Sequence, residues 1–323
     1  MELLKRDFLP EEIAMEAAAN GIDGCVVVQA QQTLDETYAL LDYADRYAFL
    51  RGVVGWAPIS CTTFPPILEE LCRHPKLRGL RHVVQDEPDE NFLLREAFNS
   101  GIDRLARENL VYDLLIFSKH MPQAIAFVDR HPNQVFVLDH IGKPLIAKQI
   151  LSPWKEQLRD LARRENVYCK LSGLLTEANW KDWKMHQLQP YVDAVMEAFS
   201  PSRIMMGSDW PVCLLAGSYS RWMQLVHVWT FSLSAEEQDR ILGGTATEVY
   251  RLAGTSSCAE KGLRYEGDDA PSSARACDSG DPGAETGFRR GIVAGTDGWF
   301  VRKRSQFLSR QKSNGDLPAH PWP

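Results

Sequence analysis

Arg203-Ile204-Met205-Met206-Gly207-Ser208-Asp209-Trp210-Pro211 is a short apolar run that ends on an aspartate and is closed at once by a proline. A strand that stops on a carboxylate puts that carboxylate at the mouth of a sheet, where parallel α/β folds keep their chemistry. Val135-Phe136-Val137-Leu138-Asp139-His140-Ile141-Gly142-Lys143-Pro144 has the same design and delivers a histidine. Two such runs suggest a hydrolase built on strand ends.

Working outward, the chain repeats one grammar from Gly24 onward: a short apolar, β-branched run precedes a longer segment of helical period. Seven such runs are expected as strands, at 25–29, 51–56, 79–83, 111–116, 135–138, 167–171 and 204–207. Helices are expected at 34–47, 92–108, 123–130, 154–164 and 189–199, with a further one over 10–20 that starts on Pro10. Regular alternation implies parallel pairing through right-handed crossovers. Consecutive apolar residues such as Val26-Val27-Val28 imply strands buried on both faces. A closed barrel and an open doubly wound sheet both meet that condition. The chain has no glycine-rich phosphate loop after its first strands, and polar residues recur at many successive strand ends, which favours a (β/α)8 barrel. Such a barrel has eight strands, so the one lacking from this count is the first, expected upstream of Met1.

The totals bound the function classes. The 323 residues are 44% hydrophobic and 24% charged, with a formal net charge of −7. That balance belongs to an ordinary globular protein and argues against nucleic acid or anionic membrane as a partner. A small-molecule substrate fits better. The seven cysteines, Cys25, Cys61, Cys72, Cys169, Cys213, Cys258 and Cys277, are scattered and read as free thiols of a reducing compartment. No run of about 18 apolar residues is present. The N-terminal Met1-Glu2-Leu3-Leu4-Lys5-Arg6-Asp7 is too charged for a signal peptide, so a cytoplasmic location is expected. Oligomeric state is not legible.

Beyond Gly254 the texture changes, with Ser, Gly, Asp and Ala dominating and Arg/Lys clusters following. The expected organisation is a barrel domain over 1–253 and a mostly disordered tail over 254–323. Within the tail, Trp299-Phe300-Val301 reads as an isolated apolar cluster, with a short docking element as the other reading.

Several residue types at strand ends can carry chemistry. Asp209 can take a proton from water or bind a metal, or can simply be a turn residue. His140 can polarise a carbonyl or bind zinc. Asp139 beside it points to the opposite side if the strand continues. Arg81, followed by His82, ends another strand, where its planar fork suits a hydroxylated or carboxylate substrate or an ion pair with the acidic loop 85–89. Lys170 and Ser172 share a face by the period-two rule, and a buried Lys170 needs a carboxylate, for which Asp209 is the expected partner. His120 follows the fourth of the seven runs and reads either as part of the mouth or as an exposed histidine at a helix start. Neither a Gly-x-Ser-x-Gly elbow nor a His-Glu-x-x-His or His-x-His pair occurs. The remaining metal donors, Asp209 and His140 with His120 or His82, make a thin set for zinc.

Five segments together resemble the amidohydrolase superfamily, in its amidohydrolase-2 branch of L-fuconolactonase-like and pyrone-dicarboxylate lactonases. They are Gly79-Leu80-Arg81-His82-Val83-Val84-Gln85, Val137 to Pro144, Tyr168-Cys169-Lys170-Leu171-Ser172-Gly173, Met206-Gly207-Ser208-Asp209-Trp210-Pro211 and Ala246-Thr247-Glu248-Val249-Tyr250-Arg251-Leu252. The resemblance implies a distorted (β/α)8 barrel lacking its first strand. It implies that Asp209 activates water, that His140 polarises a lactone carbonyl and that Arg81 serves substrate binding; from their positions at strand ends, His82, Lys170, Ser172 and His120 are expected to join Arg81 there. On cofactors it leaves two alternatives, one divalent metal such as zinc or none. Two departures stand out: the family's opening His-x-His strand has no counterpart here, and Thr245 stands where Asn is usual. The first, with the tail, suggests a truncated or alternatively spliced form.

The expected function is opening of a sugar-acid lactone, of the L-fucono-lactone kind, in carbohydrate metabolism. One alternative is a catalytically impaired form that acts as a binding or assembly partner. The other is a zinc-dependent amidohydrolase or decarboxylase of the same superfamily.

Overall fold

The computed structural model describes residues 2–252 and 299–301. Seven parallel strands, β1 (Gly24–Val28), β2 (Leu50–Gly55), β3 (Leu77–Val83), β4 (Val111–Leu115), β5 (Phe136–Leu138), β6 (Val167–Leu171) and β7 (Ile204–Met206), form a curled half-barrel. They lie side by side in chain order. All seven expected strands are present, their ends within one or two residues of those expected.

The helices are α1 (Pro10–Ala19), α2 (Leu34–Arg46), α3 (Phe64–Cys72), α4 (Glu96–Arg107), α5 (Met121–Arg130), α6 (Trp154–Leu161), α7 (Leu174–Glu177), α8 (Met185–Phe199), α9 (Tyr219–Thr230), α10 (Ala235–Asp239) and α11 (Thr245–Val249). Their sequences explain their ends. Thr33 caps α2 by accepting from Glu36 N at 3.2 Å, and Ser234 and Glu237 cap α10 reciprocally. In α4, Phe98, Gly101, Ile102 and Leu105 are buried at the 3–4 residue spacing of one helix face. Gly101 is needed there, since a Cβ would stand 2.3 Å from Ile59 O. The expected single helix over 92–108 is two elements, a 3₁₀ turn at Phe92–Leu94 and α4, broken where Arg95 turns extended.

Alternation along the strands divides the apolar residues in two. A large cluster lies between sheet and helices, with Leu80, Tyr112, Leu114, Phe136 and Leu138 among its members. A smaller one, Val26, Val28, Val54, Val111, Val137 and Met205 with Ala246, Val249 and Tyr250, fills the concave face. Charged residues of the strands stand on that concave face, where they decide the site.

At the free edge of β1 a short strand, β8 (Trp299–Val301), pairs antiparallel, Cys25 opposite Phe300. Of the two readings of this tripeptide, the docking element is the one that the backbone adopts. The rest of the expected tail, 254–298 and 302–323, lies outside the described residues. Residues 240–244 and α11 contact both end strands, β7 and β8. No helix among the described residues is long and apolar enough to cross a membrane.

Candidate active site

The loop after β5 brings His140 to the mouth. By strand alternation Asp139 keeps to the concave face with Val137. His140 faces the other way only if the strand continues. It does not: His140, Ile141, Gly142 and Lys143 all take positive φ, at 50, 51, 72 and 46°. Such a run is costly for side-chain-bearing residues and gathers at functional sites. It is held by Trp154 Nε1 donating to Ile141 O at 2.8 Å and Lys143 N donating to His140 O at 2.9 Å. Asp139 and His140 therefore both serve the concave side, one beneath the other, which corrects the expectation of opposite sides.

His140 Nδ1 lies 2.9 Å from Ser172 Oγ, and its Nε2 lies 3.9 Å from Asp209 Oδ1. Gly173 allows this approach, because a Cβ there would stand 2.6 Å from His140 Cβ. Asp209 sits past the end of β7 at φ 54°, with Thr176 Oγ1 of α7 donating to its Oδ2 at 3.1 Å. The loop below it is fixed by Trp222 Nε1 donating to Gly207 O at 2.7 Å. His140 and Asp209 are only 3% and 5% exposed, so charge developing between them is poorly screened by water.

Beneath them runs a buried chain of charges across four strands. Arg81 Nη1 donates to Asp139 Oδ2 at 2.8 Å, Lys170 Nζ lies 2.6 Å from Asp139 Oδ1 and 2.5 Å from Asp113 Oδ2, and Tyr250 Oη donates to Asp113 at 2.8 Å. All five residues are fully or almost fully buried. Burial raises the Asp113 carboxyl to about 6 against the pull of Lys170. Lys170 therefore pairs with Asp113 and Asp139, a correction to the expected Asp209. Lys170 is level with Met205 in the β6–β7 register, whereas Asp209 lies four residues farther along. Arg81 likewise bonds Asp139 and the Gln29 carbonyl rather than the acidic loop.

That contact ties in the loop after β1, where Gln29 Nε2 donates back to Arg81 O at 3.1 Å. Glu36 accepts from Ala30 N at 3.0 Å and Gln31 N at 2.7 Å, and burial raises its carboxyl to about 7.

Two predicted site residues hold other partners. His82 faces the helical layer, stacked on Phe92 at 4.6 Å, with Nδ1 accepting from Trp56 Nε1 at 3.3 Å and Nε2 at 2.6 Å from Glu87. His120 is buried rather than exposed at its helix start. Its Nδ1 accepts from Phe117 N at 3.3 Å, and burial lowers its pKa. The structure thus groups Asp209, His140 and Ser172 at the mouth and Arg81 and Lys170 below it. Asp113, Thr176 and Tyr250 join them without having been singled out. Asp113 did leave a signal, a charge in the middle of the apolar Val111–Leu115 strand on the same face as Val111. Thr176 left none.

A catalytic zinc site takes three protein ligands and an open position. His140 and Asp209 supply two, and among the described residues no three His, Cys, Asp or Glu side chains gather as a metal-binding group. The donor set does not fit a resident zinc.

Residues 2–252 match the family model described as amidohydrolase. The L-fucono-1,5-lactonase of Burkholderia multivorans is 40% identical over 265 residues, covering 78% of this chain and 88% of that protein. The L-fucono-1,5-lactonase of Burkholderia ambifaria is 36% identical over 260 residues, with the same coverage. The crystal structure of an amidohydrolase from Burkholderia multivorans with bound zinc superposes with a TM-score of 0.74 at 40% identity, covering 78% of this chain and 91% of that one. With a family model spanning most of its length and relatives this similar, the chain belongs to the amidohydrolase family.

Proposed function

We propose that this protein is a hydrolase that opens a sugar-acid lactone of the L-fucono-1,5-lactone type. The observation that carries the reading is the 3.9 Å between His140 Nε2 and Asp209 Oδ1. That is too long for a direct hydrogen bond, yet one water oxygen can lie within hydrogen-bond reach of both atoms. The 40% identity to a protein named L-fucono-1,5-lactonase supports the substrate class.

In the proposed reaction Asp209 takes a proton from water as its oxygen attacks the lactone carbonyl. With Ser172 Oγ donating to Nδ1, His140 carries its proton on Nε2 and donates to the oxyanion as charge develops there. Collapse breaks the ring C–O bond, and Asp209 returns the proton to the leaving alkoxide. The product is the open aldonic acid. Arg81 and Lys170 act as positioning residues, holding Asp139 and with it the left-handed turn that presents His140. No step is routed through a metal.

Hydrolysis in ¹⁸O-labelled water tests the bond order of this scheme. The label is expected in the product carboxylate, and His140→Ala is expected to lower kcat by about 10²–10³. Label in the ring-derived hydroxyl, or an unaltered His140→Ala enzyme, would sink it.

A further inference from the structure

The turn after β6 places a carboxylate that the proposed reaction does not use. Glu177 closes α7, its amide donating to Gly173 O at 3.2 Å, one residue beyond the Thr176 that holds Asp209. It is half-buried, and among the described residues its carboxylate closes neither a hydrogen bond nor an ion pair. Its oxygens are not sealed from solvent, so water or a ligand can reach them. Burial raises its pKa, while Lys143 and His140 draw it back down.

Lys143 lies on the loop that packs against α7. It stands three residues after His140 in the left-handed turn, and its Nζ donates to Gln85 Oε1 at 2.8 Å and lies 5.6 Å from the Phe117 ring centroid. An ammonium has three protons to donate, so Gln85 leaves it further capacity. α7 packs on the 3₁₀ turn at Ile146–Lys148, so the two loops make one wall beside His140. The exposed Trp180 is anchored to that wall through Nε1 donating to Thr176 O at 2.8 Å.

An acceptor carboxylate and a donor ammonium on loops that pack together, with no ion pair between them among the described residues, match a hydroxyl, which donates one proton and accepts on its lone pairs. We propose that Glu177 and Lys143 form a hydroxyl-recognising subsite, in which ring hydroxyls of the lactone donate to the Glu177 carboxylate and accept from the Lys143 ammonium. The inference rests on the lactonase reading above and turns lactone opening into selection of polyhydroxylated rings.

The test compares the native chain with Glu177→Gln and Lys143→Met, using hydrolysis of L-fucono-1,5-lactone and of unsubstituted δ-valerolactone, together with calorimetric binding of L-fucono-1,5-lactam. Each variant is expected to lower the ratio of kcat/KM for the sugar lactone over valerolactone by about 10- to 100-fold, the loss of one charge-assisted hydrogen bond. The change should lie in KM, and lactam binding should weaken by a similar factor. An unchanged ratio, or equal losses in kcat on both lactones, overturns the subsite. A native chain that opens neither lactone yet binds the lactam in a Glu177-dependent way keeps the subsite and removes the hydrolase reading. One that neither hydrolyses nor binds ends both.

Discussion

Lys170 is the residue on which the interior turns, because its ammonium sits between two fully buried carboxylates, Asp113 and Asp139. Removing one partner from a buried ionic group costs about 3–5 kcal/mol, since the charge left behind has lost its compensation. Lys170→Met should therefore lower the unfolding free energy in urea by about that much; a loss under about 1 kcal/mol would deny the network its structural role. Glu36 contributes a pH dependence of its own. Its folded carboxyl, raised from 4.5 to about 7, binds its proton more tightly than the unfolded chain does, so the stability from this group falls as pH rises through that window. Glu36→Gln removes that titration, and the midpoint of thermal unfolding of the variant relative to the native chain should climb between about pH 5 and about pH 8. A difference that does not vary with pH would contradict the assignment. The need of Lys170 for a carboxylate was legible in the sequence, but its partners were not. They come from strands one and two places away, and only the inter-strand register tells which charges share a level.

At the scale of elements, the catalytic arrangement depends on turns more than on the strands that lead to them. Gly173, at φ 69°, keeps the turn between β6 and α7 clear for the His140 imidazole. Gly173→Ala combines an unfavourable backbone with a Cβ driven against that ring, and should cost about 1–3 kcal/mol of stability. It should also reduce kcat at least about tenfold, as a displaced catalytic group does. A variant with native kcat on a lactone substrate would show that the close approach has no catalytic use. The strands were legible because β-branched, doubly buried runs have few alternatives, and α4 was legible by its periodicity. The turn at His140 was not, because four successive positive φ angles are served by a single glycine, Gly142, and by bonds from Trp154 and within the loop. Those contacts lie outside any local pattern.

For the molecule as a whole, seven parallel strands in chain order gather at one end the residues that the sequence scatters from Arg81 to Asp209. The alternation of short apolar runs and helices narrowed the architecture to parallel α/β topologies, and polar residues recurring at successive strand ends then favoured a barrel over an open doubly wound sheet. The antiparallel β8 at the β1 edge had no such signature: three apolar residues in a polar stretch read as an isolated cluster in preference to a docking element, and the β1 edge decides otherwise. His82, still inside β3 and one residue after Arg81, takes the opposite face by strand alternation and lies in the helical layer, so grouping it with Arg81 ran against the period-two rule. The central claim is that Asp209 and His140 act on one water and one carbonyl. Acid release from L-fucono-1,5-lactone, followed by pH-stat for the native chain and for Asp209→Asn, tests it most directly. The account predicts turnover above background by the native chain and a loss of about 10²–10⁴ in kcat for the variant, the range of a removed general base. Equal rates for the two proteins would contradict it.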